Sequence, residues 1–70
     1  MRLDELTWVA DSIDANATIL ARGNLWRIRH WIPDDTYCMG VWHRGWEYEN
    51  LDPFAAQAVL YHFLKEVSLL

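Results

Sequence analysis

The chain has a single cysteine, Cys38, so no internal disulfide can staple the fold. A lone thiol fits a reducing compartment, and a cytoplasmic location is the expectation. Glycine (3) and proline (2) are scarce, and no linker, internal repeat or low-complexity segment divides the 70 residues, which read as one domain over 1–70. The apolar runs are too short to span a bilayer, so no membrane partner is expected. Met1-Arg2-Leu3-Asp4-Glu5 sets acids where a secretory signal would carry its apolar stretch. Recognisable chemistry is missing too. There is no nucleotide-binding motif, no paired Cys-x-x-Cys or His-x-x-x-His, and no cofactor is implied.

What is present is dense: 53% of the residues are apolar and 14% aromatic, far from a disordered profile. Seventy residues lie at the small end of what folds without disulfide or metal, so the core must be tightly filled or shared with a partner. The net charge of −4 is unevenly spread. Residues 1–14 set Arg2 against Asp4, Glu5, Asp11 and Asp14, and residues 47–70 set Lys65 against Glu47, Glu49, Asp52 and Glu66. Between them Arg22, Arg27, Arg29 and Arg44 outnumber Asp34 and Asp35. Phosphate affinity scales with the number of cations presented together, so acidic flanks disfavour nucleic acid and leave a protein partner as the expectation.

Leu3, Leu6, Ala10, Ile13, Ala17 and Leu20 recur at spacings of three and four, which predicts one apolar stripe of a helix ending near Arg22-Gly23. Asn16 and Thr18 are mediocre helix formers and Gly23-Asn24 is an acceptable hairpin turn, so an extra edge strand over residues 18–22 is the alternative. The sustained stripe favours the helix.

From Leu25 the period becomes two. Three strands are predicted, the first two joined by Pro33-Asp34-Asp35-Thr36 and the last two by Trp42-His43-Arg44-Gly45. Pairing Ile32 with Tyr37 and Val41 with Trp46 collects Trp26, Ile28, His30, Ile32, Tyr37, Met39, Val41, Trp46 and Tyr48 on an inner face. Leu25, Arg27, Arg29, Trp31, Cys38, Gly40, Trp42, Glu47 and Glu49 then share the outer face. Asp52-Pro53 reads as the N-cap and first position of a final helix with Ala56, Val59, Leu60, Phe63, Leu64 and Val67 on its buried stripe. Phe54, Ala58, Tyr61 and Leu69 add apolar surface that a homodimer, through these residues or through sheet edges, would bury.

The expected fold class is α+β in the order α-β-β-β-α, a three-stranded antiparallel meander with one face covered by two helices. In order and size this is similar to the double-stranded-RNA-binding domains. Their lysine-rich start of the last helix is replaced here by Asn50-Leu51-Asp52-Pro53-Phe54, so no RNA-binding function follows. Some phage-encoded inhibitors of bacterial defence, anti-CRISPR proteins among them, are similarly short, acidic, helix-flanked meanders.

His30, Cys38, His43 and His62 match no zinc spacing, and Asp34 and Asp35 are explained by turn chemistry. Trp26 and Trp46 read as core and Trp8 as core edge. The candidate contact surface is the uncovered sheet face: Arg27, Arg29, Trp31, Trp42 and Arg44 as anchors, with Glu47 and Glu49 adding charge selectivity. The same residues can be read as surface cation–π stacks and cross-strand ion pairs. The function expected is a non-enzymatic protein-interaction module, an inhibitor or adaptor that occludes a partner's surface, of which an anti-defence inhibitor is one form. The alternatives are a single-stranded nucleic-acid binder stacking bases on Trp31 and Trp42, and a small enzyme or toxin using His43, Arg44 and Tyr37.

Overall fold

The computed structural model describes residues 2–10, 17–22, 26–41 and 44–67. A 3-10 turn, Leu3–Glu5, precedes strands β1 (Val9–Ala10), β2 (Ala17–Arg22), β3 (Trp26–Trp31), β4 (Thr36–Val41) and β5 (Gly45–Leu51), and helix α1 (Pro53–Val67) ends the order. The strands make one antiparallel sheet in chain order, so the expected three-stranded meander is its β3-β4-β5 part.

The first helix is a correction. Among the described residues only Leu3–Glu5 is helical there, and β1 and β2 occupy part of the stretch that the apolar stripe assigned to a helix. Thr7, Val9, Thr18 and Ile19 are β-branched and stiff at χ1, which weakens a helix and suits a pleated surface. Pairing decides the matter, because all six residues of β2 find partners on β3, from Ala17 opposite Trp31 to Arg22 opposite Trp26. The turn expected at Gly23-Asn24 lies outside the described residues. With one α-helix and five strands among the described residues, the order also departs from that of the double-stranded-RNA-binding domains.

The β3-β4 register differs from the expected pairing by two residues: Trp31 lies opposite Thr36, and Trp26 opposite Val41. A slip of two keeps every side chain on its face, whereas a slip of one would exchange the faces. The loop is Ile32-Pro33-Asp34-Asp35, closed by Asp35 N–H donating to the Ile32 carbonyl at 3.2 Å, with Asp35 left-handed at φ 52°. Ile32 is therefore 50% exposed at the turn, not on the inner face.

The β4-β5 pairing changes register twice. Val41 faces Gly45 and Gly40 faces Trp46, then Met39 faces Tyr48, then Tyr37 faces Leu51. Each change leaves one residue of β5 without an opposite number, Glu47 first and then one of the Glu49-Asn50 pair; Asn50 takes the left-handed φ of 55° that such bulges use. The first bulge has the larger consequence. Trp46 moves to the outer face while Tyr48 stays inside, which corrects the assignment of Trp46 to the core.

The core lies between the inner sheet face and α1. Trp26, Ile28, Tyr37, Met39 and Val41 from the sheet meet Ala56, Leu60, Phe63 and Val67 from the helix, with Leu3 of the 3-10 turn at the margin. Phe63 takes edge-on contacts from Trp26 and Tyr48, at ring-centroid distances of 5.9 and 6.2 Å. Burying each large apolar side chain contributes about 1.5–3 kcal/mol. The start of α1 is as expected: the Asp52 carboxylate accepts from Ala55 N–H at 2.7 Å, and Pro53 opens the helix. Among the described residues no helix is long and apolar enough to cross a membrane.

Candidate functional site: the outer face of the sheet

Alternation on β3 sends Trp26 and Ile28 inward against α1 and Arg27, Arg29 and Trp31 outward, on the face away from it. Directly opposed residues of an antiparallel sheet share a face, so two rows cross the outer side. One runs Arg27, Gly40, Trp46, and the other Val9, Ile19, Arg29, Cys38.

The first row holds the closest contact. Arg27 and Trp46 sit on strands separated by β4, their backbones about 10 Å apart across the sheet. They meet because the residue between them is Gly40, which has no side chain, and the Arg27 guanidinium carbon stands 4.2 Å from the Trp46 ring centroid. Gly40 is also required by the backbone. A Cβ there would collide with the Gly45 carbonyl oxygen and lie 2.8 Å from Trp46 Cα. In the second row, the Arg29 guanidinium lies 5.5 Å from the centroid of Trp31, two residues along the same strand. All four side chains are half-buried. Arg27 and Arg29 are two residues apart, about 7 Å along β3, and the negative ring faces offset the repulsion of their like charges by roughly 0.5–2 kcal/mol per pair.

Of the other expected anchors, Arg44 lies exposed at the entry to β5, with Nε 3.6 Å from Glu47 Oε1. Glu47 is the bulge residue, so its place in a strict outer row is also corrected, and Glu49 is exposed further along β5. Trp42 and His43 lie outside the described residues. Trp46 is the member of this surface that pattern reading missed, since alternation carried straight on from Val41 had turned it inward. The signal available was Gly40, a glycine in mid-strand, which often marks a bulge or a close backbone approach.

At one end of the sheet a second concavity forms, an open depression of about 420 Å³ lined by Arg2, Leu3, Asp4, Trp8, His30, Tyr37, Pro53 and Gln57. Its polar groups are largely spent on holding the N-terminal turn. Leu3 N–H donates to Gln57 Oε1 at 2.8 Å, Trp8 Nε1–H to the Leu3 carbonyl at 3.2 Å, and Arg2 pairs with Asp4 at 3.2 Å. His30 stacks flat on Tyr37 at 4.3 Å, and its Nε2 lies 2.7 Å from Asp35 Oδ1.

Burial pushes the Tyr37 phenol above its ordinary value, and the Asp35 carboxylate pushes it the same way. The folded chain thus favours the neutral phenol. That preference stabilises the fold in full below the ordinary tyrosine value of about 10, and it is lost as pH rises through the higher folded value. Urea unfolding should show stability falling above about pH 10. Tyr37→Phe, which keeps the ring and the stack on His30, should lessen the fall. An equally steep decline in the variant would assign the alkaline sensitivity to another group.

Among the described residues no group of three or more His, Cys, Asp or Glu is placed to hold a metal. No protein-family model, curated protein or solved structure matches the chain.

Proposed function

We propose that this chain is a non-enzymatic protein-interaction module, an inhibitor or adaptor that covers part of a partner's surface with the outer face of its sheet. The observation that carries this reading is the juxtaposition of two arginine–tryptophan pairs, Arg27 with Trp46 and Arg29 with Trp31, on the sheet face away from α1. Tryptophan and arginine dominate binding hot spots because they bury much area with few torsions to immobilise. Here the stacking holds the guanidinium groups before a partner arrives, which lowers the entropy cost of binding. Arg44, Glu47 and Glu49 lie toward the rim, where charge tunes association rate and selectivity more than affinity.

Single-stranded nucleic acid is the second reading, since half-buried tryptophans beside arginines on an open sheet face are also base-stacking platforms. It is the weaker one. Each ring already carries a guanidinium, and the acidic segments on either side repel phosphate.

The test is affinity capture from a host lysate with and without nuclease, followed by titration of the captured protein. Arg27→Ala with Trp46→Ala should weaken binding at least tenfold, about 1.4 kcal/mol, with little change in thermal stability. Capture that depends on nucleic acid, or tight salt-sensitive binding of oligonucleotides lost with Trp31 and Trp46, would transfer the case to the second reading.

A further inference from the structure

The open depression at one end of the inner sheet face is separate from the outer face. At about 420 Å³ it falls within the size range of small-ligand sites, and Trp8, His30 and Tyr37 line it with rings. His30 and Tyr37 lie parallel, 4.3 Å apart, and Trp8 stands at 56° and 53° to them with centroids 5.9 and 6.1 Å away. The rings therefore form a corner and not one continuous stack. That corner is set before any ligand arrives, because the Trp8 indole N–H is held on the Leu3 carbonyl and the Leu3 N–H on Gln57 of α1.

Two features of the corner are left over from folding. Tyr37 is 9% exposed and its hydroxyl has no hydrogen-bond partner among the described residues, yet its oxygen is still reached from outside. The nearby carboxylates are the second feature. Asp4 and Glu5 stand with Arg2 at the rim, and Asp35 lies behind the rings, 2.7 Å from His30 Nε2. After burial, the Asp35 carboxylate is the further cause that raises the Tyr37 phenol above its ordinary value, so its negative field reaches the wall of the depression.

We propose that this depression binds a small organic ammonium ion, its N–H donating to the Tyr37 oxygen and its N-alkyl groups lying against Trp8. A tryptophan ring attracts a cation through its quadrupole more strongly than tyrosine or phenylalanine does. An anion would meet Asp4, Glu5 and Asp35, and the Arg2 guanidinium is directed onto Asp4 at 3.2 Å. An uncharged apolar guest would cover the Tyr37 hydroxyl and leave it unsatisfied, which costs about as much as losing a hydrogen bond.

Nuclear magnetic resonance titration of the full chain tests this with a matched set of probes. Dimethylethanolammonium has the charge and the N–H, choline has the charge without the N–H, and isoamyl alcohol has the shape of the first with neither. Dimethylethanolammonium should bind with a dissociation constant of about 1–10 mM and shift the Trp8 indole resonance, and the alcohol should bind at least tenfold more weakly, about 1.4 kcal/mol. Choline should fall between them. Tyr37→Phe, which keeps the ring and its stack on His30, should reduce dimethylethanolammonium to the level of choline. Asp4→Asn should weaken both ions several-fold and Arg2→Gln should strengthen both, while Trp31→Ala on the outer face should change nothing. A peptide bearing dimethyllysine separates the two sources of this head group: binding at least tenfold tighter than the free ion assigns the site to a side chain of another protein, and equal binding assigns it to a free amine. Equal affinity for the alcohol, or shifts confined to Trp31 and Trp46, overturns the proposal, and a preference for dimethylethanolammonium over choline that survives Tyr37→Phe overturns the role of the hydroxyl.

Discussion

Val41→Asp is expected to abolish the cooperative thermal transition and most of the native circular-dichroism signal. Val41 is 1% exposed at the end of β4, in the cluster with Met39 and Phe63. A carboxylate placed there would be ionised without a partner or would have to bind a proton, and either course costs several kcal/mol. A domain of this length has a total stability of roughly 4–10 kcal/mol, so that one substitution removes most or all of it. Trp31→Ala, on the other face of the sheet, should keep the transition and shift its midpoint by a few degrees. If Trp31→Ala unfolded the chain and Val41→Asp did not, the two faces would be exchanged.

The neighbouring residue should be nearly as sensitive for a different reason. Gly40→Val is expected to cost about 3 kcal/mol, the upper end for overpacking, because the atoms its Cβ would strike belong to the β5 backbone and cannot rotate aside. Strands β4 and β5 would have to part, and the branched side chain would also come between Arg27 and Trp46. Tryptophan fluorescence should report the second effect and urea unfolding the first. Stability within about 0.5 kcal/mol of wild type would show that the sheet edge yields more readily than the close approach implies.

These adjacent positions also show what the sequence makes legible. Val41, Met39 and Ile28 are readable as core from alternation alone, because a period of two is a local property and survives a register slip of two residues. The final helix was readable for the same kind of reason: Asp52, Pro53 and the stripe through Phe63 act within a few turns. Trp46 was not, since its face depends on where β5 departs from regular pairing, and a bulge is settled by two strands together. The N-terminal third was misread because spacings of three and four fit a helix, while the competing ladder of β2 with β3 is a tertiary gain that periodicity does not record. Of the candidate surface, Arg27, Arg29 and Trp31 were legible; the stacking of Arg27 on Trp46 across Gly40 was not.

The order of the sheet has a kinetic consequence. Every strand pairs with its neighbour in sequence, so the meander can zip hairpin by hairpin at low loop-closure cost, and folding should be rapid for a β-rich chain. The helix that covers the inner face comes after all of the strands. On a polypeptide elongating at about 5–20 residues per second, the 15 residues of α1 take about 1–3 s to follow β5. During that interval Ile28, Met39 and Val41 face water on a partly formed sheet, and it is then, before the helix lands, that nascent chains are most exposed to aggregation with one another.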